Sequence, residues 1–142
     1  MKELTDRGDV EELVSSFYRA ALADPLIGPI FTDVARIDLV RHLPIMTDFW
    51  ETVLFGTDTY HRNALQVHLV LHARAPLEEP HFARWLELWE TAVRERFSGE
   101  KANLAVVQAQ RMAGSIERRL AGGSGSDFET IRHRDAFVDS KQ

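Results

Sequence analysis

The sequence has no cysteine, no run of basic residues and no long apolar segment, and each absence excludes a class of protein. Without cysteine there is no disulfide framework, thiolate metal ligand or thiol nucleophile. A net charge of −5 with no basic stripe argues against nucleic-acid binding. No apolar stretch is long enough to cross a bilayer, and the polar, acidic start MKELTDRGDVEE does not look like a signal peptide. We therefore expect neither nucleic-acid nor membrane partners and, by elimination, a cytoplasmic location.

The sequence also lacks sustained period-two alternation, and apolar residues recur instead at helical spacing. Five helices are predicted, over about 9–24, 34–55, 63–72, 80–97 and 102–120. Asp9 and Glu12 predict a capping box for the first helix, and Pro44 predicts a kink or a fresh start in the second. These patterns predict one all-α domain over 9–121, between an N-terminal extension (1–8) and a polar, mobile tail (122–142).

His68 and His72 lie in the apolar stretch LQVHLVLH and share one helical face with Leu65. A single core histidine is usually satisfied by a backbone carbonyl or a carboxylate. Two histidines at i and i+4 also suit zinc if His61 or His81 adds a third ligand, although the HExxH pattern is absent. Alternatively, one neutral imidazole is the proximal ligand of haem iron. The leucine-rich surroundings favour the haem interpretation.

Three further residues combine an apolar body with a hydrogen-bonding tip. Tyr18, His42 and Trp85 lie on the predicted inward faces of three different helices. Taken singly, the tyrosine and the tryptophan are ordinary core residues, and the histidine could lie at a solvent boundary. Taken together, all three need hydrogen-bond partners. A small ligand held by haem would be an acceptor that they share.

Four segments in a fixed order carry a resemblance to a known family. They are FYRAALADPLIGPIF from Phe17, HLPIMTDFWETVLFG from His42, Tyr60 followed by His68, and HFARWLELW from His81. In this set the chain resembles the truncated haemoglobins, most closely the group III branch, over about residues 9–121. The resemblance implies a two-over-two helical sandwich around haem b (iron protoporphyrin IX).

The resemblance also implies roles for individual residues. His68 would be the proximal iron ligand, Tyr18 and Trp85 the distal donors, and His42 a distal residue that controls ligand access. The implied pocket wall comprises Phe31, Phe49, Trp50, Leu65, Phe82 and Leu86. Arg62 replaces a glycine that the family leads us to expect, and Ala64 replaces a proline. The propionate contacts therefore stay open, with Arg36, His61 and Arg62 as candidates by position.

Such a pocket implies a protein that binds oxygen, nitric oxide and carbon monoxide. Two buried hydrogen bonds to a charged acceptor slow ligand release, which favours redox chemistry on the ligand over bulk transport. Nitric oxide dioxygenation and peroxide turnover are the candidate reactions. A separate reductase would be needed, because the sequence has no flavin or nicotinamide motif. The alternative is a non-enzymatic oxygen or nitric oxide sensor or carrier that signals to a partner protein.

Overall fold

The computed structural model describes residues 1–122, except for the side chains of Ala64 and Leu65, and its regular structure is helical. The elements are α1 (Arg7–Ala23), a π-helical turn (Ile30–Val34), α2 (Leu39–Phe55), α3 (Ala64–Arg74), α4 (Glu79–Arg96) and α5 (Glu100–Leu120). The all-α prediction is confirmed. In the part of the chain that is described, no helix is both long and apolar enough to cross a membrane. Residues 123–142 of the predicted tail lie outside the described residues. The predicted boundaries of the N-terminal extension (1–8) and of the domain (9–121) stay predictions.

The start of α1 differs from the predicted capping box. Asp6 is the N-cap residue, and its carboxylate accepts a hydrogen bond from the Asp9 backbone N–H at 3.0 Å. The Asp9 side chain is buried and accepts instead from the Lys2 ammonium at 2.8 Å and from the Thr5 N–H and hydroxyl at 2.9 Å. Burial raises the pKa of Asp9, but these hydrogen bonds and the Lys2 charge outweigh it and lower the pKa to about 2. The prediction of Asp9 as the cap is wrong because Asp6 caps one turn earlier.

The second helix begins later than predicted, at Leu39 rather than near Val34. Asp38 is its N-cap residue, and the preceding chain forms the π-helical turn. Between them Arg36 adopts a φ of 52°, a left-handed conformation that interrupts any continuous helix. Pro44 lies inside α2, which runs unbroken from Leu39 to Phe55, so a fresh start at the proline is wrong and the kink stays a prediction. The helix ends at a left-handed Gly56, as predicted.

The helices pack in pairs. Helix α1 packs on α2 and α4 on α5, and the pairs meet where α1 contacts α4 and α2 contacts α5. Helix α3 packs against α5. The largest fully buried side chains are Trp50, Trp89, Phe17 and Phe97. A fully buried side chain of this kind contributes about 1.5–3 kcal/mol or more relative to an exposed one, so these four aromatic residues contribute substantially to stability.

The first residues of the chain pack onto α5. Leu4 is 1% exposed and belongs to the core. The Glu3 carboxylate accepts the backbone N–H groups of Lys101 and Ala102, at 3.1 Å each, so it satisfies the open amino end of α5. Gly99 precedes that helix with a φ of 112°, and a Cβ there would collide with the Glu3 carboxylate. The positive φ therefore favours glycine here, whereas the Glu3 carboxylate lies at the end of a flexible side chain that can move away from a Cβ.

Candidate functional site

Two of the predicted distal residues are in direct contact. Tyr18 on α1 is 5% exposed, and His42 on α2 is half-buried. The Tyr18 hydroxyl oxygen lies 2.8 Å from His42 Nε2, and the two rings meet edge-on with centroids 5.2 Å apart. The packing of α1 on α2 brings together groups that are 24 residues apart in sequence.

Burial sets the protonation of this pair. It raises the pKa of the Tyr18 phenol and lowers the pKa of the His42 imidazole, so both groups are neutral at pH 7. A neutral imidazole carries one N–H, so either Tyr18 donates to Nε2 or Nε2–H donates to the Tyr18 oxygen. In the second arrangement the phenol proton is available to another acceptor. The hydrogen bond therefore decides whether Tyr18 can donate to a ligand.

Phe31 and Trp85 adjoin this pair. The half-buried Phe31 ring on the π-helical turn lies edge-on to Tyr18 at 5.5 Å. Trp85 on α4 is half-buried and reaches the pair through Phe17, which lies edge-on to Tyr18 at 5.0 Å and to Trp85 at 5.8 Å. The structure thus groups Tyr18, His42 and Phe31 directly, with Trp85 one ring away.

Phe49 and Trp50, both predicted for the pocket wall, lie within the buried core. Trp50 stacks on Trp89 with centroids 4.4 Å apart and planes 20° apart. Trp89 in turn stacks on Trp85, at 6.0 Å and 1°. Phe49 lies edge-on to Trp50 at 5.4 Å and to Tyr60 at 5.0 Å. Trp85 therefore packs, through Trp89, on the aromatic rings of the buried core.

His68 lies on α3 and is half-buried. The same helix leaves Val67, Leu69 and Val70 between 41% and 48% exposed. Several large apolar side chains exposed along one short helix indicate a surface that a ligand or partner covers. On α4, Phe82 and Leu86 are likewise half-buried. The predicted wall residue Leu65 is on α3, but its side chain lies outside the described part of the structure.

Comparison with known proteins decides the fold. No protein-family model and no curated protein matches the chain. Among solved structures, the chain is similar to a group III truncated hemoglobin from Campylobacter jejuni, with a TM-score of 0.75 and 26% sequence identity. The similarity covers 84% of this chain and 95% of the other. The chain has the truncated-globin fold. The recognition made from sequence is confirmed, and this fold suggests binding of haem and small ligands.

The residues placed by this truncated-globin fold suit haem chemically. The set comprises an imidazole on α3 among apolar neighbours, and a phenol, a second imidazole and an indole on three other helices. A nitrogen ligand for iron, apolar surface for the porphyrin and distal hydrogen-bond donors are the groups with which proteins hold haem. Arg36, His61 and Arg62 are all exposed and stay the candidates for the propionates.

The zinc alternative gains no support. His72 Nδ1 accepts the Leu77 N–H at 2.9 Å, which closes the turn after α3, and His81 Nδ1 accepts the Glu78 N–H, which caps α4. His61 is exposed and bonds within its own loop. Across residues 1–122, no three histidine or carboxylate side chains are grouped to hold a metal ion.

Sequence reasoning missed two features of the site. It gave Trp89 no part in the site, whereas this indole links Trp85 to Trp50. A signal was available, because Trp85 and Trp89 are four residues apart and therefore adjacent on one helical face. The bond between Tyr18 and His42 had no local signal, because it depends on how two helices pack.

Proposed function

We propose that this chain binds haem b through His68 and reversibly binds oxygen and other diatomic ligands beside Tyr18, His42 and Trp85. The observation that carries the proposal is the 2.8 Å contact between the Tyr18 hydroxyl and His42 Nε2. A phenol and a neutral imidazole on neighbouring helices, bordered by Phe31, form a polar pair in apolar surroundings. Such a pair suits a small ligand that accepts hydrogen bonds.

Bound haem would supply an iron that takes oxygen, nitric oxide or carbon monoxide and exchanges electrons with it. One His68 ring nitrogen would bind the iron, and the other would donate to an acceptor that fixes the ring. The Tyr18 hydroxyl donates to the ligand when His42 Nε2–H donates to the Tyr18 oxygen. The Trp85 indole N–H is the second donor.

The remaining side chains would shape the pocket. Phe31, Phe82 and Leu86 are half-buried apolar residues that would cover the porphyrin and exclude water, together with Leu65. Phe49 and Trp50 would pack in the core beneath these pocket residues. His42 is only partly buried, so its ring would control ligand access from solvent.

Two donors in a buried pocket favour retention of the ligand, so we propose redox chemistry on it, namely nitric oxide dioxygenation or peroxide turnover. Continued turnover would need a separate reductase partner, and we expect a cytoplasmic location. The alternative is an oxygen or nitric oxide sensor or carrier that acts on a partner protein. Repeated nitric oxide consumption in the presence of a reductase supports the first function, whereas a single turnover that then stops supports the alternative.

Titration of the full chain with hemin tests the proposal. We expect one haem per chain with a strong Soret band, and a resonance Raman band from an iron–histidine bond in the ferrous protein. His68→Gly should lose that band, and added imidazole should restore ligand binding. His72→Gly is the control, because it also puts glycine in α3 at a cost of about 1 kcal/mol and in addition loses the bond to the Leu77 N–H, so lost stability alone would not explain a defect confined to His68→Gly. Normal haem binding by His68→Gly without imidazole would refute the assignment.

A further inference from the structure

All three tryptophans of the chain form one column. Trp85 and Trp89 are parallel to within 1°, with centroids 6.0 Å apart, and Trp89 and Trp50 follow at 4.4 Å and 20°. Trp85 is half-buried beside the proposed ligand site, and the other two indoles are 2% exposed. The column therefore runs from the candidate site into the core.

The contacts continue beyond the third indole. Phe49 lies edge-on to Trp50 at 5.4 Å and edge-on to Tyr60 at 5.0 Å. Tyr60 is followed directly by the exposed His61 and Arg62. Burial raises the pKa of Tyr60 to about 12, against a smaller opposing effect of the Arg62 charge, so the phenol holds its proton at neutral pH. The aromatic contacts thus reach a protonated phenol next to exposed loop residues.

The surroundings of the central indole suit electron transfer. Indole and phenol are the protein side chains that lose an electron most readily, and stacked rings exchange electrons quickly. Trp89 Nε1–H donates to the Ala105 carbonyl oxygen at 3.2 Å. A carbonyl is too weak a base to remove that proton, so an oxidised indole would keep its N–H. The positive charge can then pass between neighbouring rings and is not trapped on one of them.

We propose that Trp85, Trp89, Trp50 and Tyr60 relay electrons, one at a time, from the surface to bound haem for the reduction of hydrogen peroxide. The relay rests on the proposed haem binding. One peroxide molecule takes two electrons and two protons and yields two molecules of water. Each electron comes from the Tyr60 phenol, which releases one proton with it. A phenolic reductant then restores Tyr60 by giving one electron and one proton, so two phenols are oxidised for each peroxide.

The test maps where oxidation occurs. The hemin-loaded full chain is treated with hydrogen peroxide, freeze-quenched for EPR spectroscopy, and digested for mass spectrometry of oxidised residues. We expect tryptophan and tyrosine radicals, and oxidation at Trp50 and Tyr60 despite their burial. Trp89→Phe keeps an aromatic ring but removes the oxidisable indole, so oxidation should remain at Trp85 and fall at Trp50 and Tyr60 to the level of hemin-free protein. Oxidation of Met1, which is 79% exposed, reports attack by bulk peroxide in every sample.

Equal oxidation of Trp50 and Tyr60 in wild type and Trp89→Phe, at equal haem content, would overturn the relay. If that variant does not fold, wild-type chain with fluorotryptophan replaces it, because fluorination keeps the shape and makes each indole harder to oxidise. Tyrosine radical yield should then fall, and an unchanged yield counts against the relay. Failure of hemin to give a Soret band refutes the proposed function as well. A normal Soret band without oxidation at Trp50 and Tyr60 refutes the relay alone.

Discussion

Replacing Tyr18 with phenylalanine isolates the contribution of one hydroxyl. The ring and its edge contacts with Phe17 and Phe31, at 5.0 Å and 5.5 Å, remain. The hydrogen bond to His42 is lost, which lowers the free energy of unfolding by about 1 kcal/mol. A buried hydrogen bond to a charged acceptor is worth about 1.5–3 kcal/mol, which corresponds to an oxygen release rate about 10- to 150-fold faster.

Stopped-flow displacement of oxygen by carbon monoxide measures this rate on hemin-loaded protein that has been reduced to the ferrous form, because ferric haem does not bind oxygen. Ser115→Ala is the matched control, because it also removes one buried hydroxyl, and Ser115 Oγ has no hydrogen-bond partner within residues 1–122. Its oxygen release should equal that of wild type, with stability unchanged or slightly higher. An unchanged release rate in Tyr18→Phe would refute donation by this hydroxyl, whatever the haem content.

Three further predictions concern other residues. Trp85→Phe should also speed oxygen release, in the same stopped-flow assay, by about 10-fold or more, and an unchanged rate would remove the indole from the donor set. Asp9→Asn should lower the free energy of unfolding, measured by urea titration, by about 1–3 kcal/mol. This difference between wild type and variant should shrink as the pH falls from 3.8 towards about 2, because the folded protein then protonates Asp9. Because burial lowers the pKa of His42, the unfolded chain protonates this ring first and wild type should lose stability as the pH falls below 6.5. His42→Phe should be less sensitive over that range, and identical pH profiles would contradict this assignment.

Much of the fold follows from periodicity in the sequence. Apolar residues at helical spacing predicted five helices, all of which are present. Their beginnings were harder to predict where two local signals competed, because Asp6 and Asp9 both suit an N-cap. The left-handed Arg36 has no sequence signal, since this conformation usually requires glycine or asparagine. The start of α2 was therefore misplaced by five residues.

The candidate site, like the fold, was predictable only in part from the sequence. The inward faces of Tyr18, His42 and Trp85 were predictable, because each follows the apolar spacing of its own helix. Their mutual contacts were not predictable from spacing, because ring distances and angles depend on how α1, α2 and α4 pack. His68 was singled out by its leucine-rich sequence and by family resemblance, and its role as iron ligand stays a prediction.

The contact of Glu3 with α5 has a consequence for the order of folding. Glu3 is 98 residues from Lys101 and 99 from Ala102, so this contact closes a loop of most of the chain. Loops of that length close late and at high entropic cost. During synthesis Glu3 leaves the ribosome long before its partners exist. A nascent chain halted before residue 100 would therefore leave the Glu3 carboxylate without the backbone N–H groups that it accepts in the folded protein.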